Sequence, residues 1–213
     1  MSVVVAIKEN GKIFMGADSQ VTKGGTRVTL KNPNNYKIWK VDGGEHCLMG
    51  QVGNLRDGNV IRLMRDVFDD YDEFYERVNY RFVVKYLVPE IIKSLRDAKY
   101  IKVTDEYVDS LDSSFLFAYR DKLFLINSDL AVIEVNDYVA IGSGADQAIG
   151  SLLSTEGQSP KRRIVKAIKA SAACDIYVDY PIILTDTDKT EFEIVTEDNE
   201  GKYLTSGKKE GDK

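Results

Sequence analysis

Two continuous apolar runs near the start of the chain predict a hairpin of buried strands. Residues 3–7 and 13–17 carry no charged or amide side chain, and the Asn10-Gly11 pair between them is a strong signal for a tight turn. Continuous apolarity, unlike strict alternation, is typical of strands that are covered on both faces. We therefore expect layers above and below this hairpin, followed by a loop over residues 26–35.

The middle of the chain changes from strand to helix periodicity and back. Pro89 is expected to break or kink the second helical stretch. A Gly-Ser-Gly turn at 142–144 leads from a strand toward a helix, and Ser159-Pro160 is typical of a helix start. Further strands are predicted at 36–41, 46–52, 113–119, 123–127, 131–135, 139–141, 177–184 and 191–195, with a turn at 42–44, and helices within 54–68, 74–95 and 160–173.

The order of these elements predicts an α+β fold. Strands and helices are segregated along the chain instead of alternating, which argues for two stacked antiparallel sheets flanked by helices and against a doubly wound parallel sheet. The chain has 213 residues, no internal repeat and no linker rich in Pro, Gly or Ser. We therefore assign residues 1–200 to a single domain and residues 201–213 to a polar C-terminal tail.

Composition narrows the function classes. A formal net charge of -5 without a long basic run gives no indication of nucleic-acid or membrane-surface binding. The two cysteines are too few for a disulfide framework. No stretch has the length and apolarity of a membrane span, and no signal-peptide pattern is present, so a cytoplasmic location is expected. Neither a cofactor nor a metal is predicted.

The common catalytic constellations are missing. The chain has one histidine, His46, in a predicted hairpin, and no serine lies in a G-x-S-x-G elbow. What remains is the start of the chain. If Met1 is removed, Ser2 carries an amine and a hydroxyl on adjacent carbons, and an α-amino group with a pKa of roughly 7.7–8.0 is a usable base near neutral pH.

Such an amine benefits from a cation that keeps it neutral and a carboxylate that holds this cation. Asp18 follows the second predicted strand and Lys37 stands early in the third, at 36–41, so both are candidates. On the residues alone, solvent-facing positions for an Asp and a Lys near strands are the more common alternative.

Five segments, taken in order, resemble proteasome β-type subunits, in particular the bacterial HslV-type peptidases. They are "SVVVAIKENGKIFMGADSQVTKGG", "NYKIWKV", "CLMGQVGN", "VAIGSGADQA" and "AIKASAACDIYVD". The resemblance extends over roughly residues 2–185. It implies a four-layer α-β-β-α sandwich, the N-terminal nucleophile (Ntn) hydrolase fold.

The resemblance also implies a role for each residue at a matching position. Ser2 takes the place of the nucleophile, usually Thr in this threonine-type protease family, and its amine that of the base. Asp18 matches the acid and Lys37 the lysine that tunes the amine. Gly50 matches the donor of the oxyanion hole. Ser143 matches the serine that hydrogen-bonds around the terminal amine, and Asp175 an acid that supports the same cluster.

The chain departs from the family pattern in three ways. Ser2 lacks the methyl group that restrains a Thr rotamer, so slower turnover is expected. Only Met1 precedes Ser2, so removal of the initiator methionine, not self-cleavage, is expected to expose the amine. The stretch 69–110 looks longer than in HslV-type chains and the segment 186–213 looks additional, which leaves ring size open.

Three functions remain. The first is a peptidase that acts on polypeptides within a homo-oligomeric ring, with an ATP-dependent unfoldase as a candidate partner. The second is a catalytically silent, ring-forming subunit of the same fold. The third is a small-molecule amidase of the same nucleophile class.

Overall fold

The computed structural model describes residues 2–41, 46–64, 78–99 and 111–205. The strands are β1 (Val3–Glu9), β2 (Lys12–Ala17), β3 (Gln20–Lys23), β4 (Thr26–Thr29), β5 (Ile38–Lys40), β6 (Cys47–Val52), β7 (Ser114–Tyr119), β8 (Lys122–Ile126), β9 (Val132–Val135), β10 (Tyr138–Gly142), β11 (Ile182–Asp186) and β12 (Glu193–Val195). The α-helices are α1 (Leu55–Ile61), α2 (Tyr80–Phe82), α3 (Val88–Asp97), α4 (Ala145–Ser154), α5 (Pro160–Cys174) and α6 (Gly201–Leu204).

Two five-stranded antiparallel sheets form the centre of the fold. One has the order β10-β1-β2-β11-β12 and the other β5-β6-β7-β8-β9, while β3 and β4 make a separate two-stranded hairpin. The predicted first hairpin is confirmed: Glu9 pairs with Lys12, and Asn10 and Gly11 both adopt positive φ, as a tight hairpin turn requires.

Three apolar cores separate four layers. The core between the sheets contains Val4, Met15 and Leu116, all without exposed surface. A second core packs α4 and α5 against the outer face of the first sheet, and a third packs α1 and α3 against the outer face of the second. This arrangement confirms the predicted four-layer α-β-β-α sandwich, and it explains why the opening strands are apolar on both faces.

The predicted loop at 26–35 is wrong in its first part. Thr26–Thr29 form β4, which pairs with β3 across a turn in which Gly24 and Gly25 both have positive φ. Most of this hairpin is exposed, including Val28 at 51 %. A strand pair without a buried face carries no alternation of apolar and polar residues, so its sequence does not show the strand pattern.

Of the break or kink predicted at Pro89, the break is not found, because the helical segment continues past it. A π-helical turn, Val83–Leu87, connects α2 to α3, and Pro89 lies in the first turn of α3. The N–H of Val88 bonds to the carbonyl of Val83, five residues earlier. This wider turn changes the hydrogen-bond register just before the proline, where an ordinary helix would clash with its ring.

Other predicted boundaries shift by a few residues. Strand β11 begins at Ile182, after a cis Tyr180-Pro181 bond, instead of at residue 177. Parts of the predicted helices (65–68 and 74–77), the turn at 42–44 and residues 206–213 of the tail lie outside the described residues. The assignment of 1–200 to one domain stays a prediction.

None of the helices in the described ranges has both the length and the apolarity needed to cross a bilayer.

Gly53, in the turn between β6 and α1, lies where a side chain would not fit. Its φ is +107°, and a Cβ atom there would lie 2.0 Å from the backbone oxygen of Asp112. We expect Gly53→Ala to lower the free energy of unfolding by about 2–5 kcal/mol, since it adds a backbone clash to the cost of positive φ. Chemical denaturation of the purified chain measures this.

Gly157→Ala is the matched control. Gly157 also has positive φ, +80°, but a Cβ atom added there would meet no described atom within 4 Å. This control variant isolates the cost of a positive φ for alanine, which lowers the free energy of unfolding by about 1–2 kcal/mol. Equal losses in the two variants would contradict the close approach at Gly53.

Candidate active site

Ser2 lies immediately before β1 and is 5 % exposed. Its backbone N–H donates to the hydroxyl of Ser143 over 3.1 Å, and the N–H of Gly144 donates to its carbonyl oxygen over 3.3 Å. Strand β10, which ends at Gly142, runs antiparallel to β1 and pairs Gly142 with Val3. The turn after β10 is therefore delivered directly to the start of β1, although Ser2 and Ser143 are 141 positions apart in the sequence.

Gly142 must be a glycine for this contact to form. Its φ is +104°, and a Cβ atom would lie 2.1 Å from the carbonyl oxygen of Ser2. The Gly-Ser-Gly turn thus brings the backbone close to Ser2 while its serine hydroxyl faces the Ser2 nitrogen.

Asp18 and Lys37 form a buried ion pair next to the start of β1. The Lys37 ammonium lies 2.7 Å and 2.8 Å from the two carboxylate oxygens of Asp18, and it also donates to the carbonyl of Gln20 over 2.5 Å. The same carboxylate accepts the backbone N–H groups of Val3, at 2.9 Å, and Gln20, at 3.0 Å. Asp18 therefore joins the first hairpin, β3 and the segment before β5.

Burial dominates the electrostatics of this pair. It lowers the pKa of Lys37 from its ordinary value, while the attraction and hydrogen bonds of Asp18 oppose this change. Burial likewise raises the pKa of Asp18, against the attraction of Lys37 and the N–H donors of Val3 and Gln20. The four hydrogen bonds on the carboxylate favour its ionised form, and an ionised Asp18 in turn favours a protonated Lys37.

A cleft of about 500 Å³ opens beside these residues. Ser2 and Lys37 lie in its lining, together with residues from β3 and from the turn between β6 and α1. The described lining residues are Ser2, Val21, Thr22, Lys23, Lys37, Gln51, Val52, Gly53, Asn54, Leu55, Arg56 and Asn59. A molecule bound in this cleft would therefore meet the Ser2 side chain and the Lys37 charge together.

Gly50 is placed on β6, opposite Ile38 of β5. A Cβ atom there would lie 2.8 Å from Val4 Cγ1 and 3.0 Å from Met15 Sδ, so packing between the sheets already requires a glycine. Gly50 is not among the described lining residues of the cleft, whereas its neighbour Gln51 is. Its role as an oxyanion-hole donor stays a prediction.

Asp175 lies at the C-terminal end of α5, apart from the Asp18–Lys37 pair. One carboxylate oxygen accepts the N–H of Tyr177 over 2.9 Å, while the other is buried and has no hydrogen-bond partner within the described residues. Its charge acts to raise the pKa of Lys37 without a hydrogen bond to the ammonium. Asp175 thus belongs to the electrostatic surroundings of the site.

A polar network beneath the cleft wall was not anticipated from the sequence. The Ser113 hydroxyl donates to Asp57 over 2.7 Å and accepts from the Asn54 N–H and the Gln51 side chain. Burial raises the pKa of Asp57, and the hydrogen bond from Ser113 opposes this. The network fixes the turn after β6. A serine at the start of a strand and an aspartate in a helix carry no sequence signal for such a contact.

Neither a cluster of metal ligands nor the histidine is found at this site. Within the described ranges, no three His, Cys, Asp or Glu side chains come together in a way that could hold a metal ion. His46 Nδ1 contacts the carbonyl oxygen of Thr187, and the N–H of Thr187 donates to the carbonyl of Ile13, the second residue of β2. Asp18 follows the opposite, C-terminal end of β2. The length of this strand therefore separates His46 from the residues around Ser2.

Comparisons with known proteins agree on one family. The family model described as "Proteasome subunit" matches residues 2–169. The chain is 33% identical over 148 residues to the ATP-dependent protease subunit HslV of Cytophaga hutchinsonii, covering 68% of this chain and 70% of that protein. It is 28% identical over 191 residues to the HslV subunit of Borrelia duttonii, covering 86% of this chain and 95% of that protein.

Solved structures share the fold at lower identity. Thiobacillus denitrificans BPH superposes with a TM-score of 0.68 at 15% identity, covering 92% of this chain and 99% of that chain. HslV from Trypanosoma brucei superposes with a TM-score of 0.62 at 16% identity, covering 86% of this chain and 98% of that chain. These structures support the four-layer sandwich.

The Asp18–Lys37 pair can be tested by stability. Lys37→Met leaves the Asp18 carboxylate buried without its cation, so we expect it to lower the free energy of unfolding by about 3–5 kcal/mol. Adding Asp18→Asn to Lys37→Met should recover part of this loss, because the uncompensated charge is gone. Denaturant unfolding of the wild-type chain, both single variants and the double variant measures the coupling.

Lys40→Met, three residues further along in β5, serves as a control. Lys40 is half-buried and donates to the backbone carbonyl of Asp186. The buried Asp186 carboxylate also has the Lys12 ammonium within 3.6 Å, so removal of Lys40 leaves this carboxylate with a cation. We expect its loss to stay below about 1 kcal/mol. Additive effects of Asp18→Asn and Lys37→Met would contradict the ion pair.

Proposed function

The chain belongs to the proteasome subunit family, and we propose that within this family it is a peptide hydrolase subunit that uses Ser2 as its N-terminal nucleophile once Met1 is removed. The observation that carries this proposal is that Ser2 and Lys37 share the lining of one cleft. Asp18 links the two positions, because its carboxylate accepts from both the Lys37 ammonium and the N–H of Val3. The hydrogen bond from the Ser2 nitrogen to Ser143 adds a second support.

The proposed base is the nitrogen of Ser2 itself. After Met1 is cleaved off, this nitrogen is a primary amine that keeps the Ser143 hydroxyl as a neighbour. The Lys37 ammonium disfavours a second positive charge nearby, which lowers the pKa of the amine below its reference range. A larger neutral fraction is then present at neutral pH and can accept a proton from the Ser2 hydroxyl.

Lys37 acts as a fixed charge instead of a proton acceptor. An ammonium has three N–H bonds, and its three contacts reach the two oxygens of Asp18 and the carbonyl of Gln20. While it is protonated, Lys37 has no lone pair that could accept a proton. Its three N–H donors are also already in use. Asp18 in turn holds the ammonium in place through both carboxylate oxygens.

The proposed reaction proceeds through an ester. The Ser2 oxygen attacks a peptide carbonyl as its proton moves to the Ser2 amine, and a tetrahedral intermediate with a negative oxygen forms. The C–N bond then breaks, and the departing nitrogen takes the proton from the amine. Water attacks the resulting acyl ester with the same amine as base, which releases the carboxylic acid and restores the Ser2 hydroxyl.

The proposed assembly is a homo-oligomeric ring. It is supported by the family membership and by two relatives named as subunits of an ATP-dependent protease. We infer polypeptide substrates and an ATP-driven unfolding partner on the same basis. The proposal also includes Gly50 as a donor of the oxyanion hole and Asp175 as an acid that supports the cluster around Ser2.

Replacement of Ser2 tests the nucleophile. With the chain tagged at its C-terminus, we expect Ser2→Ala to lower peptide hydrolysis by on the order of 10⁴-fold or more, since the attacking oxygen is removed. Ser154→Ala, on the exposed face of α4, is the matched control and should keep wild-type activity. Fluorogenic peptide turnover measures both, and wild-type rates in Ser2→Ala would contradict the proposal.

The conservative replacement Ser2→Thr should raise turnover by about two- to fivefold. The extra methyl group restricts the side-chain rotamer, and rotamer freedom of about 0.5–1 kcal/mol corresponds to a rate change of this size. The same peptide assay measures it. A strong loss of activity would indicate that the site is built around the smaller side chain.

The requirement for an unblocked amine has its own test. A non-removable extension in front of Ser2 turns the amine into an amide, so we expect both peptide hydrolysis and modification by a peptide vinyl sulfone to disappear. Intact-protein mass spectrometry of the C-terminally tagged chain should show loss of Met1 and an adduct on Ser2. An extended chain that remains active would refute the amine as base.

A further inference from the structure

We infer that Arg62 is a positioning residue that holds the Lys37 charge in place within the cleft. This inference rests on the proposed function, in which the Lys37 ammonium acts on the Ser2 amine. Arg62 caps the C-terminal end of α1, and its guanidinium contacts the chain both before and after Lys37. Arg62 is not itself among the described residues that line the cleft.

The contacts before Lys37 are made to backbone carbonyl oxygens. Arg62 Nη2 donates to the carbonyl of Tyr36 over 2.6 Å, and this carbonyl belongs to the peptide bond that leads into Lys37. Arg62 Nη1 donates to the carbonyl of Pro33 over 3.2 Å. Residues Pro33–Asn35 form a 3₁₀ turn, which the N–H of Tyr36 closes by donating to the same Pro33 carbonyl. One guanidinium therefore joins both ends of the turn that precedes Lys37.

The contact after Lys37 is made to an aromatic ring. The guanidinium carbon of Arg62 lies 4.8 Å from the centre of the Trp39 ring, within the range of a cation–π interaction. Trp39 belongs to β5 and is buried. Burial lowers the pKa of Arg62 to about 10, and the half-buried charge is met by two carbonyl oxygens and this ring. Arg62 therefore joins α1 to the chain on either side of Lys37.

Lys37 is otherwise held at two points. Its ammonium is held by the Asp18 carboxylate and the carbonyl of Gln20. Its own carbonyl accepts the N–H of Gln51, on β6, over 2.8 Å. Neither contact restrains the peptide bond before Lys37, and the flexible four-carbon stem of a lysine lets the ammonium follow any movement of the backbone at its base. Arg62 supplies the restraint on this side.

The start of α1, which lines the cleft, is held without Arg62. The Ser113 hydroxyl donates to Asp57 and accepts the N–H of Asn54, the residue that caps the N-terminal end of the helix. Loss of the guanidinium contacts should therefore loosen the Lys37 segment and leave the cleft-lining residues of α1 in place. An effect on the charge can thus be separated from an effect on substrate binding.

Arg62→Met tests the inference, because it keeps an unbranched side chain beside Trp39 and removes both carbonyl contacts. We expect kcat for a fluorogenic peptide to fall about tenfold, while KM stays within about twofold of the wild-type value. The pKa of the Ser2 amine should rise by about 0.5, since a loosely held ammonium repels a second charge less strongly. Competitive acylation of the N-terminal peptide measures this pKa, and the acidic limb of the pH profile of kcat should move to higher pH with it.

Arg62→Lys is the conservative variant. It keeps a cation at the end of α1 but lacks the planar fork that reaches two carbonyl oxygens at once. We expect its kcat and the pKa of its Ser2 amine to lie between those of the wild-type chain and those of Arg62→Met. This graded response separates the hydrogen bonds to the segment before Lys37 from the positive charge at position 62.

Arg163→Met is the matched control. Arg163 is buried, donates to the carbonyl of Leu152 and lies over the ring of Tyr138, so its contacts resemble those of Arg62 in kind. Tyr138 pairs with Ile7, toward the end of β1 opposite Ser2. We expect Arg163→Met to lower the free energy of unfolding while the pKa of the Ser2 amine keeps its wild-type value.

The outcomes separate this inference from the proposed function. A wild-type kcat and a wild-type amine pKa in Arg62→Met overturn the positioning role and leave the hydrolase intact. If Arg62→Met does not fold, the same two wild-type values in Arg62→Lys overturn it instead. An equal rise of the amine pKa in Arg163→Met would assign the effect to lost stability. Failure of the wild-type chain to cleave the peptide or unfolded casein, with no vinyl sulfone adduct on Ser2, overturns both.

Discussion

The buried ion pair between Asp18 and Lys37 is the interaction on which the rest of the site depends. A lone carboxylate or ammonium at this depth would be strongly destabilising, so each group requires the other. Asp18 additionally accepts the N–H of Val3, the first residue of β1, and thereby fixes the position of Ser2 relative to the ammonium. The pair therefore links the stability of the sheet stack to the electrostatics around Ser2.

The topology explains how residues far apart in sequence meet at this pair. In antiparallel sheets the end of one strand lies beside the start of the next. Ser2 precedes β1, Asp18 follows β2 and Ser143 follows β10, so all three lie at one end of the first sheet. Lys37 precedes β5 at the matching end of the second sheet, where β6 also ends and the cleft begins. Stacking the two sheets completes the site without any long loop.

The apolar pattern was sufficient to predict the fold, because strands covered on both faces leave continuous apolar runs and the helices keep their own period. The candidate site was harder to predict from the sequence than the fold. Asp18 and Lys37 at strand ends look the same in sequence whether they face solvent or each other, and only the motifs shared with a family singled them out. The β3–β4 hairpin has no buried face, and the Asp57–Ser113 contact joins residues 56 apart, so neither left a local pattern.

We propose that the Ser2 amine of the mature chain is neutral near pH 7 because it shares the cleft with the Lys37 ammonium. Competitive acylation of the N-terminal amine across pH, followed by mass spectrometry of the N-terminal peptide, measures its pKa directly. We expect a pKa below the reference range of roughly 7.7–8.0. A pKa at or above that range, or an N-terminus that cannot be acylated because it remains blocked, would contradict it.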